Sequence, residues 1–261
     1  ENGIFNSSTD SLYINDPMLT VAAGERILVS RVFGTVNKFG QNMAVASDTQ
    51  EDIWDGGGTY VFPATALITK ISQKTNQATL QGEDVEIQGL DENWDLVVQM
   101  ATLDATDTTT PVTLATPLIR VFRMKVMSLV VGTANISVHN DANDHDYAIV
   151  TAGNNQTLMS IYTIPAGVTG YITRGYASTT EATGKEPKST EIRMWMQNIA
   201  AGFTFQLKKA LGIPKAGGMI NVSFLPYGKV SEKTDIKMSA YCEDEAGNVS
   251  SGFDIILISD V

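Results

Sequence analysis

The sequence predicts an all-β protein: one or two antiparallel β-sandwich modules of jelly-roll type behind an extended N-terminal arm. Several segments alternate apolar and polar residues at period two, as Ile192, Met194 and Met196 do against Arg193, Trp195 and Gln197. Turn-forming clusters such as residues 89–93 separate these segments. The low charged fraction, 18%, and the 22 glycines are typical of sheets joined by many turns.

The order of the segments suggests three regions. Residues 1–50 hold few strand-like runs beyond 26–33 and are rich in Asn, Ser and Gly, so we interpret them as an arm. Residues 51–150 form one predicted sandwich module, with strands over 60–71, 85–90, 94–103, 118–131 and 135–140. Residues 151–261 form a second, with strands over 157–165, 170–178, 190–199, 203–208, 219–225, 235–242 and 253–259.

Two further patterns bear on this organisation. Residues 61–70 resemble residues 163–174, because each has an apolar residue, Pro-Ala, and then Ile-Thr before a basic residue, which would fit two related modules. The best helical pattern is short, residues 206–211, and Gly212 and Pro214 would stop it. We therefore interpret that segment as strand and loop.

Composition excludes several functions. The net charge of −11 and the scattered basic residues argue against nucleic acid as a direct partner. One cysteine and two histidines leave little material for a disulfide framework, a zinc site or histidine-based catalysis. No apolar run approaches the ~20 residues of a membrane helix. We therefore expect no cofactor, no metal and no membrane contact.

The stretch Glu51–Ala66 contains three consecutive glycines, Gly56, Gly57 and Gly58, after a Trp-Asp pair. A phosphate-binding loop would require a following Lys-Ser/Thr pair and a helix, and a strand follows here instead. We interpret the glycines as a turn that needs positive φ or close backbone approach. Trp54 would then fill a core edge or a subunit contact.

The remaining polar constellations each have a simple structural explanation. Residues 139–146 could offer oxygens to calcium from Asp141, Asn143, Asp144 and Asp146, with His139 and His145 nearby, but the spacing is not that of an EF-hand, and a solvated loop is favoured. Acidic pairs for glycoside cleavage occur only in turns, at Asp91, Glu92, Asp95, Glu243, Asp244 and Glu245. Cys242 ends an alternating strand and is interpreted as a core residue. We therefore expect no enzyme.

Aromatic residues leave a binding function open. Trp94, Trp195, Tyr171 and Tyr176 could form a platform on which a sugar stacks, as in a lectin. Packing in the core or an interface is the favoured alternative.

Three stretches carry a resemblance to a known family. They are residues 36–63, with Val-Asn-Lys-Phe-Gly and Trp-Asp-Gly-Gly-Gly; residues 87–112, with Gly-Leu-Asp-Glu-Asn-Trp; and residues 232–260, with Glu-Lys-Thr-Asp-Ile and Gly-Phe-Asp. In this order they resemble the virion structural proteins of tailed bacteriophages, especially short-tailed and marine ones. The resemblance implies a β-rich, multicopy particle component without cofactor or catalysis, assembled in the host bacterial cytoplasm.

The predicted function is therefore a non-enzymatic virion structural protein, most simply a capsid decoration or cement protein. A head–tail or tail-associated ring component, or a carbohydrate-binding virion module, are the alternatives. Its partners would be the major capsid protein or head–tail proteins, and it would form a homo-oligomer, with a trimer favoured. The predicted interface anchors are bulky or turn residues: Trp54, Gly56, Gly57, Gly58, Phe33, Phe39 and Phe253.

Overall fold

The computed structural model describes the backbone of residues 5–6 and 11–12 and the chain over 33–182, 184–215 and 217–260. Over these residues the chain is built from β-strands and one short 3₁₀ turn, Ala78–Leu80. No helix in this part of the chain is long and apolar enough to cross a membrane. The all-β prediction is confirmed. The strands are β1 Phe5–Asn6, β2 Ser11–Leu12, β3 Phe33–Val45, β4 Gln50–Asp52, β5 Ile68–Gln73, β6 Asp84–Leu90, β7 Leu96–Thr102, β8 Val112–Leu118, β9 Arg120–Val126, β10 Ile136–His139, β11 Asp146–Val150, β12 Ile161–Thr163, β13 Val168–Glu181, β14 Thr190–Asn198, β15 Gln206–Ile213, β16 Met219–Val230, β17 Thr234–Cys242 and β18 Gly247–Ser259.

The first group of strands forms two antiparallel sheets over one core. The four-stranded sheet has the order β11-β10-β5-β8, and the three-stranded sheet has the order β7-β6-β9. Their inner faces meet at buried residues such as Ile71 and Val138 from one sheet and Ile87 and Met124 from the other. Period-two alternation explains why only one face of β6 contributes, since Val85 and Ile87 are buried while Glu86 and Gln88 are not.

The second group forms a larger sandwich. One sheet has the order β12-β17-β14-β15, with β4 also paired to β17, and the other has the order β16-β13-β18-β3. Ile192 and Met238 from the first sheet and Phe253 and Ile255 from the second belong to one buried cluster. Strand β17 lies between β14 on one side and β12 and β4 on the other, which is why it is buried along almost its whole length.

Two ion pairs lie on β17, and the first of them joins the two sandwiches. The Arg120 guanidinium donates to both carboxylate oxygens of Asp235, at 2.8 Å each, and also to the backbone carbonyl of Pro63 at 2.6 Å. The rings of Phe62 and Trp94 lie 5.2 and 4.9 Å from the guanidinium carbon. This bidentate, buried arrangement is the kind that can offset the cost of burying two charges.

The second pair lies two residues further along β17. The Lys237 ammonium donates to Asp52 at 2.8 Å, and the backbone N–H of Tyr60 donates to the same carboxylate oxygen at 2.7 Å. Burial raises the pKa of Asp52, against the opposing effect of Lys237. We refer to these two pairs and their rings as the junction.

The structure corrects the N-terminal boundary. Residues 33–45, assigned to an extended arm, form the thirteen-residue strand β3, which pairs with β18 along nearly its whole length. The run Phe33–Val45 contains two glycines and two asparagines, which lower its intrinsic strand preference, and pairing with the apolar β18 overrides that preference. The rest of the predicted arm lies outside the described residues, apart from the β1–β2 backbone pairing and residues 46–50.

Other segments differ in smaller ways. Strands β8 and β11 were not predicted, and the predicted strand over 60–71 is regular only from Ile68. The helix-like pattern at residues 206–211 is strand, as interpreted. The proposed division at residue 150 does not separate the cores, since Met159 and Ile161 pack into the first and Leu90 and Phe122 into the second.

Candidate assembly surface

The three glycines form the predicted turn. Gly57 and Gly58 have φ values of 64° and 61°, which favour glycine, and a Cβ on Gly56 would meet the Trp54 ring at 2.2 Å. The backbone N–H of Gly58 donates to the Glu51 carboxylate at 3.1 Å, so that amide is already used within the chain.

The bulky predicted anchors lie mostly inside the protein. Trp54 and Phe253 are buried, Trp54 against Tyr60 with ring centroids 5.1 Å apart and Phe253 in the second core. Both therefore follow the core alternative, and neither side chain is available as a surface anchor. Phe39 is half-buried, and the backbone of Phe33 pairs with Ile258. An interface role for Phe33, Phe39 and the three glycines stays a prediction.

The acidic loop does not gather its carboxylates. Asp141 accepts the hydroxyl of Thr69, Asp144 accepts the side-chain amide of Asn140, and Asp146 pairs with Lys74 at 2.7 Å. Among the described residues, no group of three or more His, Cys, Asp or Glu side chains is placed to hold a metal ion.

The histidines of this loop also lie apart in environment. His139 is buried with Nε2 3.0 Å from the Ser72 hydroxyl, whereas the His145 ring contacts the Tyr147 ring at a tilted angle.

The other acidic clusters are engaged in turns and surface pairs. Asp91 accepts the backbone N–H groups of Asn93 and Asp95, which closes the turn before β7. Glu243, Asp244 and Glu245 contact three separate donors, which are Ser189, Lys188 and Lys185.

Cys242 is buried in the second core, as interpreted, and burial raises the pKa of its thiol.

The aromatic platform does not form. Tyr171 is buried, and the guanidinium of Arg120 covers the ring of Trp94. Trp195 is half-buried and donates its indole N–H to Ser239 at 2.9 Å. Tyr176 is half-buried, with the guanidinium of Arg174 over its ring. None of the four rings is therefore left open as a flat exposed face for a sugar.

The first exposed apolar feature is a stripe on β7. Leu96, Val98 and Met100 point to the outer face and are 56%, 57% and 47% exposed. On the opposite face, Ala101 is buried in the first core, and the Gln99 side chain exchanges two hydrogen bonds of 2.9 Å with the backbone of Thr116. Because the outer face of β7 carries three exposed apolar side chains, it is suited to contact another molecule. We refer to Leu96, Val98 and Met100 as the β7 stripe.

The second feature is a groove between the β7 stripe and the first half of β3. Its walls include Val36, Leu96, Val98 and Tyr162, and its volume is about 380 Å³. The charged side chains that line it are both basic, Lys38 and Arg123.

Lys38 is only 5% exposed, and its ammonium donates to the backbone carbonyl of Phe122. Burial, together with the charge of Arg123, lowers the pKa of Lys38 to about 7. We refer to this as the basic groove.

The third feature is a bare edge of the second sandwich. Strands β15 and β16 end their respective sheets, so each has one unpaired side among the described residues. Residues 206–210 are exposed on both faces, and Met219 and Leu225 of β16 are 77% and 70% exposed. Native proteins usually cover or charge such edges, because unpaired strands readily add a further strand. Lys208 and Lys209 charge the β15 part of this edge, whereas Met219 and Leu225 leave exposed apolar side chains on β16.

Sequence reasoning did not identify Leu96, Val98, Met100, Lys38 or Arg123 as surface residues. One signal was available in the sequence, because Leu96, Val97 and Val98 are consecutive apolar residues and therefore place apolar side chains on both faces of the strand. A strand of this kind is ordinarily covered on both faces. Lys38 carried no comparable signal, because a lysine on a strand is ordinarily exposed.

Comparison with known proteins adds little. No family model and no curated protein matches the chain. A structure of infectious bursal disease virus, Gt strain, aligns over 94% of this chain and 83% of its own at 7% identity, with a TM-score of 0.21. A structure of T=1 particles derived from infectious bursal virus aligns over 88% and 74% at 10% identity, with a TM-score of 0.19. Such low TM-scores do not establish a shared fold, so the architecture rests on the chain's own strands.

Proposed function

We propose that the chain is a non-enzymatic structural protein of a tailed-bacteriophage virion, and within that class a capsid decoration or cement protein. The observation that carries the proposal is the exposure of apolar side chains on regular strands, in the β7 stripe and at the β15–β16 edge. A lone soluble domain ordinarily covers such surfaces, whereas a subunit of an assembly buries them against its neighbours.

The order of sequence motifs supports the phage class. The segments that resemble tailed-phage virion proteins run from residue 36 to residue 260, and the described residues within them form strands and turns. The low charged fraction and the acidic net charge also fit a shell component that must pack against protein and avoid the genome.

The test is a cryo-electron-microscopy map of the particle that contains this chain, with its copies and symmetry counted. Many trimers on the outer shell are the expected result. A single ring at one vertex would replace decoration with a head–tail or tail role while keeping the virion class. A soluble monomer absent from every particle would overturn the proposal.

A further inference from the structure

The basic groove has the dimensions of a binding site. Its volume of about 380 Å³ lies within the usual range of ligand pockets, about 300–1,000 Å³. One wall is the backbone and side chains of β3 from Gly34 to Lys38, and the opposite wall is formed by Leu96 and Val98 of the β7 stripe. Phe122 and Tyr162 form part of the lining.

The groove holds two basic side chains, Lys38 and Arg123. Within the described residues, no carboxylate lies within ion-pair distance of Lys38 or Arg123, although the chain carries a net charge of −11. The junction shows the contrast, since both of its buried cations pair with a carboxylate at 2.8 Å. A buried cation without a counter-charge is costly, and a ligand that supplies one negative charge would remove that cost.

The strands beside the groove suit the binding of an extended polypeptide. Side chains on one face of a strand repeat about every 7 Å, and Leu96, Val98 and Met100 are spaced in this way. Among the described residues, strand β3 ends its sheet and pairs with β18 on one side only, so its outer side can receive another strand. Addition of an extended peptide to such an edge is a common mode of recognition.

We infer that the basic groove binds an extended segment of a partner protein in which one carboxylate side chain lies between apolar residues. The carboxylate contacts Lys38 and Arg123, and the apolar residues pack on Leu96 and Val98. This inference goes beyond the proposed function, because it depends only on the charge and shape of the groove and holds for any partner with such a segment.

The test is titration of the full chain with a fluorescent, acetylated and amidated seven-residue peptide that alternates valine and threonine around a central glutamate. Its matched control has glutamine at the centre. We expect the glutamate peptide to bind at least about tenfold more tightly, because truncating one partner of a buried charge pair costs that much or more. Amide chemical shifts should move at residues 34–38 and 96–98. Equal binding of the two peptides would overturn the inference.

Substitutions in the chain test which basic side chains contact the carboxylate of the peptide. Lys38→Met and Arg123→Gln should each weaken the glutamate peptide by at least about tenfold. Lys125→Gln is the matched control, since Lys125 lies two residues from Arg123 on the same strand and is exposed. It should leave the affinity unchanged. Equal effects of Arg123→Gln and Lys125→Gln would show general electrostatic attraction and overturn the inference.

Two further measurements, one of folding and one of competition, complete the test. Thermal melting confirms that each variant is folded, and if Lys38→Met is not, Arg123→Gln carries the test alone. Sodium decanoate serves as a competitor, because it presents a carboxylate on an apolar chain without a peptide backbone. Binding of decanoate without binding of the glutamate peptide would make the groove a site for small amphiphiles and overturn the peptide assignment.

Discussion

Arg120 and Lys38 are both buried cations, but among the described residues only Arg120 has a carboxylate partner. Arg120 is 3% exposed, and Asp235 neutralises it through two hydrogen bonds between two rings. Lys38 is 5% exposed, donates to a carbonyl group and faces Arg123. In the junction each buried cation pairs with a carboxylate of the chain, and the Arg120–Asp235 pair joins the two sandwiches. The described residues supply no such partner in the basic groove, which is expected of a surface completed by another molecule.

The largest expected effect is the loss of stability when the Arg120–Asp235 pair of the junction is broken. Arg120→Met leaves Asp235 buried without its counter-charge and should lower the free energy of unfolding by about 4 kcal/mol. Urea unfolding followed by circular dichroism measures the loss. The double variant Arg120→Met/Asp235→Leu removes both charges and should recover at least about 2 kcal/mol. A single-variant loss below about 1 kcal/mol would contradict the role given to this pair.

The next largest effect is the difference in stability between glycine-to-alanine substitutions in the two halves of β3. A Cβ on Gly40 would lie 2.2 Å from the backbone nitrogen of Ser160 and 2.6 Å from the carbonyl oxygen of Ile53, so Gly40→Ala should cost about 3 kcal/mol. At Gly34, beside the groove, the nearest contact of a Cβ is Leu257 at 3.7 Å, which is ordinary packing. Gly34→Ala should therefore be nearly neutral in the same unfolding assay. Similar losses for both variants would mean that β3 is equally closed along its length.

The third effect concerns pH. The pKa of Lys38 falls from 10.5 to about 7 on folding, so between these values the unfolded chain binds more protons and stability rises with pH. Below pH 7 both states are protonated, and the cost of the buried ammonium is fully present.

Lys38→Met removes this cost, so it should stabilise the protein more at pH 6.5 than at pH 9, by roughly 2 kcal/mol. The measurement is the difference between variant and parent in urea at the two pH values, which cancels the other titrating groups. A pH-independent difference would show that Lys38 keeps an ordinary pKa and is not a buried, unpaired charge.

The contrast between junction and groove also shows what the sequence could predict. Strands such as β14 follow from period two, and the glycine turn follows from its three glycines and the lack of a phosphate-loop pattern. Pairing of Arg120 with Asp235 joins residues 115 positions apart, and no local pattern encodes it. Lys38 lies within a glycine- and asparagine-rich run, and its burial depends on β18 and β9, which lie far away in the chain. Strands with regular period two and the glycine turn were therefore predictable, and the charge environment was not.

The smallest expected effect is the change in stability when an exposed apolar side chain of the first sandwich is replaced, and a buried one serves as the comparison. Leu96→Gln changes a side chain that is 56% exposed on β7, so it should alter the free energy of unfolding by less than about 0.5 kcal/mol. Ile87→Ala, on the buried face of the neighbouring strand β6, should cost about 3 kcal/mol in the same assay. If Leu96→Gln destabilised the isolated chain as much as Ile87→Ala, the β7 stripe would belong to the fold itself. A near-neutral result would mean that folding does not require this apolar face, so that its exposure is left to be explained by what binds there.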